Sequence, residues 1–154
     1  MKAVVQRVLN SSVEVEGNIV GKSKEGYMIL FGAESDDTTS DADVLAAKIA
    51  NLRVFCDEND KMNKSILDIN GECLVISQFT LCADLKKGNR PSFINAMSPT
   101  EADNLYNYFC EKLKENGVKK VDKGVFGADM KVSLINDGPV TIIYDTKIWR
   151  KNGN

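Results

Sequence analysis

The chain contains no histidine. That absence removes Ser-His-Asp and Cys-His catalysis, imidazole metal sites and histidine as a general base. Cysteine is scarce: Cys56, Cys73, Cys82 and Cys110 stand 17, 9 and 28 positions apart. No pair has CxxC redox spacing, and no second Cys/His pair exists to complete a zinc site. Long apolar runs are missing too. Nothing approaches the roughly 18 residues of a membrane span, and the opening MKAVVQRVLNSSVEVEG has no signal-peptide hydrophobic region. The expectation is a cytoplasmic protein with four reduced, structural cysteines, no metal, no cofactor and no membrane partner. Nor does charge of one sign dominate. Lys and Arg number 20 against 22 Asp and Glu, a net charge of −2, so nucleic-acid contact has to come from a local patch.

What is present is ordinary globular material. A chain of 154 residues, 43% hydrophobic and 27% charged, fits one domain over 1–154 with a real core and a polar tail from about residue 146. Val4, Gln6 and Val8 alternate with Val5, Arg7 and Leu9, which reads as a strand. Ser12–Glu16 and Ile19–Lys22 flank the turn signal Glu16-Gly17-Asn18 as a hairpin. The run from Gly26 to Gly32 suits a strand buried on both faces. A helix follows the acidic stretch Asp36–Asp41, capped by Ser40 or a neighbour, with Leu45, Ile49 and Leu52 on one face. Cys73–Leu81 is the next strong strand. Ser98-Pro99-Thr100-Glu101 announces a second helix with a capping box, an apolar stripe of Ala102, Leu105, Phe109 and Leu113, and a stop at Asn116-Gly117. Val118–Val121, Met130–Ile135 and Val140–Tyr144 complete the strands. The order is α+β, with two helices covering one side of mostly β structure.

Three segments can carry chemistry. Read as a strand, 73–81 puts Gln78 and Thr80 on one face and Ser77 and Phe79 on the other, so polar groups interrupt an apolar run. They are either strand residues hydrogen-bonded at a sheet end or the floor of a polar pocket. A Thr80 nucleophile needs a base, and without histidine only a lysine, a carboxylate or the substrate can serve. Asn136-Asp137-Gly138-Pro139-Val140-Thr141 reads as a turn between two strands. Lys86-Lys87-Gly88-Asn89-Arg90-Pro91-Ser92-Phe93 is either a solvated loop or a phosphate grip. Lys147, Arg150 and Lys151 form a second basic group near the C-terminus.

Together these segments resemble the D-aminoacyl-tRNA deacylase family, from Met1 to about Asp145. The matching stretches are Val5-Gln6-Arg7-Val8, Asn51–Phe55, Lys61-Met62-Asn63, Ser77-Gln78-Phe79-Thr80, Arg90–Phe93, Gly124–Met130 and Asn136–Thr141. SQFT and NDGPVT in this order are highly specific, and only the tail after Asp145 reads as peculiar to this chain.

The resemblance implies layered β/β/α architecture with antiparallel and mixed sheets, and a homodimer whose active sites lie at the subunit interface. It implies that Gly138-Pro139 is a cis pair inserted into the partner's pocket, where its carbonyl oxygens hold the substrate ammonium and its backbone rejects an L-side chain. Glycine has no side chain to reject, so glycyl-tRNA enters as well. Ser77, Gln78, Phe79 and Thr80 line the catalytic wall, with backbone amides for the oxyanion. Arg7 supports the Gly-Pro segment, and Phe126 and Met130 wall the pocket. Lys86, Lys87 and Arg90 are the implied tRNA contacts. The ribose hydroxyl beside the ester supplies what the side chains lack, and a Thr80 nucleophile ranks second. A non-catalytic RNA-binding dimer and a threonyl-type synthetase editing module are the competing readings.

Overall fold

The computed structural model describes residues 1–150, and Lys151 with the last of the polar tail lies outside the described residues. Strand β1 (Lys2–Val15) runs unbroken through the stretch that the alternation divides at Ser12. Glu16 and Gly17 then turn the chain with φ of 49° and 81°. Two positive φ values are what a two-residue type I′ hairpin needs, and Val15 faces Asn18 at the start of β2 (Asn18–Ser23). β3 (Gly26–Gly32) is buried on both faces, as its apolar run requires. A side chain at Gly26 would collide with the Glu72 carbonyl, so glycine is required where β3 opens beside its neighbour.

Helix α1 (Thr39–Ala50) is capped by Thr38 rather than Ser40, and the Asp41 carboxylate accepts from the Thr38 N–H at 2.9 Å. The polar turn at Asp57–Asp60 joins two short strands, β4 (Phe55–Cys56) and β5 (Met62–Lys64). β6 (Glu72–Ser77) precedes helix α2 (Pro99–Glu115), and β7 (Lys120–Lys123) and β8 (Lys131–Asp145) follow it. The capping box expected from Ser98 and Glu101 does not form. Ser98 makes no side-chain cap bond, and the helix starts on Pro99, which has no N–H to satisfy.

The main sheet runs β2-β1-β3-β6-β7, with β8 also paired to β1. β3, β6 and β7 are mutually parallel, whereas β1 is antiparallel to β2, β3 and β8. Alternation along β3 and β6 divides the interior. Tyr27, Ile29, Phe31, Cys73 and Val75 join Leu45 and Ile49 of α1 and Leu105, Phe109 and Leu113 of α2 in one core. Both helices therefore cover the same sheet face, the arrangement read from the element order. Phe31 stacks on Phe109 with centroids 4.9 Å apart, worth about 0.5–1.5 kcal/mol beyond the area it buries. On the other face Val8, Val13, Met28, Leu74 and Ile76 form a second core, closed by Met130, Val132 and Leu134.

Two expectations change. The strand read over 73–81 stops at Ser77. Gln78 donates to the Phe31 carbonyl at 2.7 Å, and Phe79–Cys82 then coil into a 3-10 turn, so the expected alternation of Gln78 and Thr80 against Phe79 and Leu81 does not occur. The two strands read around Asn136–Thr141 are a single strand, β8. Asn136 faces Val8 and Thr141 faces Gln6, so the residues between them swell out of the β1 ladder and do not reverse the chain. Of the tail after Asp145, the described residues are tied down. Thr146–Trp149 form a 3-10 turn, Thr146 is buried, and the Trp149 ring lies 6.0 Å from that of Tyr144.

Candidate functional site

Parallel strands β3 and β6 end side by side at Gly32 and Ser77, where the chain leaves the sheet and a cavity of about 260 Å³ opens. Phe31, Ala33 and Ser77 form its floor, Phe79 and Phe126 two of its walls, and Met97, Pro99 and Ala102 the side towards α2. Its lining is mostly apolar with Ser77 as a polar point, the usual character of a small-molecule site. Phe79 is more than half exposed, and its ring meets the Phe93 ring edge-on at 5.0 Å. Phe126 is backed by Tyr106, whose hydroxyl donates to the Val75 carbonyl at 2.6 Å.

The 3-10 turn at Phe79–Cys82 supplies the site's backbone polarity. The first N–H groups of a helical turn have no partner within it, which leaves those of Phe79 and Thr80 free for an incoming oxygen. The Thr80 hydroxyl is exposed and accepts a hydrogen bond from the Gln78 amide. Among the described residues no carboxylate or ammonium group hydrogen-bonds to it.

Arg7, Gly138 and Pro139 lie elsewhere in the chain. Arg7 Nε donates to the Asp137 carbonyl at 2.9 Å, and its Nη1 donates to the Val54 carbonyl at 2.6 Å. Gly138 has φ of 135°, the Gly138–Pro139 bond is cis, and both residues are exposed. Arg7 and Asp137 share a smaller cleft of about 180 Å³ with Phe55 and Cys56, separate from the Ser77 cavity.

Of the residues singled out in the sequence, the structure thus gathers Ser77, Phe79 and Phe126 around one cavity, with Gln78 and Thr80 in the adjoining turn. Arg7, Gly138 and Pro139 form a second group. Met130 packs in the core beneath the sheet and is not among the residues lining the cavity. Lys86, Lys87 and Arg90 are exposed on a loop pinned by paired hydrogen bonds of 2.7 and 3.0 Å between Asp84 and Ser92. Two members of the second basic group are paired, and Lys151 lies outside the described residues. Lys147 pairs with Glu34 at 3.1 Å, and Arg150 pairs with Asp36, Asp37 and Asp41 at 2.8, 2.6 and 3.2 Å. The hydrogen bond from Arg150 holds the Asp36 carboxyl below the ordinary range. Burial pushes Asp41 up, but the Thr38 N–H and Arg150 outweigh it, so its carboxyl is also lowered.

The cysteines divide as well. Cys73, Cys82 and Cys110 are buried, and burial raises each thiol, that of Cys110 to about 12. Cys56 is exposed, and all four are free thiols, as expected of reduced cysteines. The sequence reading missed Phe93 beside Phe79 and the Val54 carbonyl behind Arg7. The aromatic in the basic loop was the one signal for the first, and nothing local marks the second.

Among the described residues no group of three or more His, Cys, Asp or Glu is placed to hold a metal ion. Among the described residues no helix is long and apolar enough to cross a membrane.

D-aminoacyl-tRNA deacylases of Phocaeicola vulgatus and Thermosipho melanesiensis are 58% and 52% identical to the chain, each over 96% of it and 98% of the relative. A solved structure described as c-Myc DNA Unwinding Element Binding Protein superposes with a TM-score of 0.89 at 43% identity, covering 94% of this chain and 98% of that one. A probable eukaryotic D-amino acid tRNA deacylase shares the fold at 16% identity, with a TM-score of 0.80 over 93% of this chain and 97% of its own. The family model described as D-Tyr-tRNA(Tyr) deacylase matches residues 4–145, and the chain belongs to that family.

Proposed function

We propose that this protein, acting as one unit over residues 1–154, hydrolyses the ester joining a D-amino acid to the 3′ end of tRNA and rejects the L-amino acid ester. The observation that carries the reading is the apolar cavity at Ser77, flanked by the unpaired N–H groups of Phe79 and Thr80. An ester carbonyl placed there meets donors suited to the oxyanion of a tetrahedral intermediate. Water forms the new C–O bond, the bond to the ribose oxygen breaks, and that oxygen takes the proton. The neighbouring ribose hydroxyl positions the water, a role the Thr80 hydroxyl is poorly equipped for without a base.

The selecting element is the exposed Gly138-Pro139 excursion, which lies apart from the cavity of its own chain. A second copy supplies it, so the working unit is a homodimer with shared sites. Outward-facing Ile135 and Ile143 on β8, 51% and 78% exposed, support such an interface. A glycyl ester, including one misattached to the alanine tRNA, lacks the side chain that the excursion rejects and is also cleaved. The exposed Lys86, Lys87 and Arg90 take tRNA phosphates. The setting is proofreading of cytoplasmic translation.

The test is release of labelled amino acid from charged tRNA by the purified protein. D-aminoacyl-tRNA should be cleaved and L-aminoacyl-tRNA spared. Binding of both without release would favour the non-catalytic RNA-binding reading. A terminal 2′-deoxyadenosine should slow cleavage sharply, and cleavage at the normal rate would remove the ribose hydroxyl from the mechanism.

A further inference from the structure

The swelling in β8 has a narrow neck. Two steps along β1, from Val8 to Gln6, face five steps along β8, from Asn136 to Thr141. Asn136 is the last paired residue before the excursion and Thr141 the first after it. The Asn136 side chain spans that neck. Its Oδ1 accepts from the Val140 N–H at 2.8 Å, and its Nδ2 donates to the Thr141 hydroxyl at 2.9 Å. The Val140 N–H has left the ladder to β1, so the Asn136 amide replaces a lost sheet partner. Arg7 holds the other flank through the Asp137 carbonyl. Asp137 and Val140, the residues either side of Gly138-Pro139, are thus each fixed by a different side chain.

We propose that Asn136 is a positioning residue for chiral selection. With Thr141 it closes the neck of the excursion and sets how far Gly138 and Pro139 project. The inference rests on the reading above, in which that excursion excludes the L-side chain. Selection of this kind is steric and depends on placement to a fraction of an ångström. A loop free to widen at its neck spends part of its time withdrawn, and an L-ester is then admitted. One lost hydrogen bond suffices to shift such a population about tenfold.

The side chain offers separable tests. Asn136→Leu has similar bulk and no polar atoms. It should lower the ratio of D- to L-aminoacyl-tRNA hydrolysis, measured in single turnover, about tenfold or more. Asn136→Asp should restore most of the ratio, because a carboxylate accepts from the Val140 N–H and the Thr141 hydroxyl can rotate to donate to it. Thr141→Val removes one of the two bonds and should give an intermediate ratio. A merely structural role would lower thermal stability and both rates together and leave the ratio unmoved.

Should Asn136→Leu fail to fold, Thr141→Val decides alone, and a wild-type ratio in it overturns the proposal. A discriminating wild-type protein whose folded Asn136→Leu variant keeps the same ratio also overturns it, and leaves the functional reading standing. If the wild-type protein shows no preference for the D-ester, the functional reading falls and this inference falls with it.

Discussion

The Arg7 guanidinium is bonded through Nε to the Asp137 carbonyl and through Nη1 to the Val54 carbonyl, at 2.9 and 2.6 Å. One side chain from the first strand thus joins the Gly-Pro excursion of the last strand to the segment following α1. A planar fork serves two acceptors in fixed directions, and an ammonium does not. Arg7→Lys should therefore lower kcat/KM for D-aminoacyl-tRNA by roughly 10- to 100-fold, the worth of one or two charged hydrogen bonds, with the fold retained. Steady-state kinetics beside far-UV circular dichroism checks this, and unchanged kinetics would remove Arg7 from the site.

Gly138 leaves no room for a side chain. A Cβ there would lie 2.9 Å from Arg7 Nη2 and from Val140 Cγ2, on a backbone with φ of 135°. Gly138→Ala imposes about 1–3 kcal/mol of local strain, which an exposed loop relieves by shifting. Activity should fall steeply while the melting temperature changes little. A variant that melts much earlier would show that the segment is structural.

The Thr80 hydroxyl has Gln78 as its hydrogen-bond donor and no base beside it among the described residues. Thr80→Ala should therefore stay within about tenfold of the wild-type single-turnover rate, whereas removing a nucleophile costs about a millionfold. Complete loss in a folded Thr80→Ala protein would return the mechanism to a threonine nucleophile.

The ion pairs around Arg150 tie stability to pH. The Asp36 and Asp41 carboxyls are lowered in the folded protein, Asp36 chiefly by the Arg150 hydrogen bond, and Asp41 by Thr38 and Arg150 against its burial. Their contribution is therefore full above the unfolded value of about 3.9 and is lost as the pH falls through the depressed folded values. Urea unfolding of wild type and Arg150→Ala should show a gap at pH 7 that closes at strongly acidic pH. A gap that is constant with pH would mean the carboxylates take no part.

tRNA binding should weaken with salt through the 84–92 loop. Replacing Lys86, Lys87 and Arg90 with alanine should reduce the slope of log affinity against log salt by about 2 to 3, roughly one for each phosphate contact. The same change at Lys147 should have little effect on the slope, because that ammonium is already paired with Glu34. An unaltered slope in the triple variant would place the phosphate contacts elsewhere.

Local pattern made much of the fold legible. The buried run at Gly26–Gly32, the Glu16-Gly17 turn and the stripe of α2 each follow from side chains within a few positions. Periodicity failed where a tertiary bond decided. Alternation persists in the letters past Ser77, but the bond from Gln78 to Phe31 ends the sheet there, and Phe31 is 47 residues earlier in sequence. The turn signal at Asp137-Gly138-Pro139 is real, yet β1 pairs on both sides of it and holds the direction of the strand. Lys147 and Arg150 read as free cations because their partners, Glu34 to Asp41, lie more than a hundred positions away. The motif residues stand out in the sequence, but their division between a cavity and a distant excursion depends on packing that no local window contains.

Moored at both ends to the same strand, the excursion in β8 has a length that cannot drift. Beyond it Ile142 faces Val5, Ile143 faces Val4 and Tyr144 faces Ala3, with Ile143 outward and Tyr144 buried. Side chains on a strand alternate with a period of two, so adding or deleting one residue between Asn136 and Thr141 would exchange those faces. Tyr144 would be turned to solvent and Ile143 into the core, unless the pairing slid by a residue and dragged Thr146 from its bond with the N-terminal ammonium. Substitutions in this segment change what the site discriminates, whereas a change in its count rewrites the end of the chain.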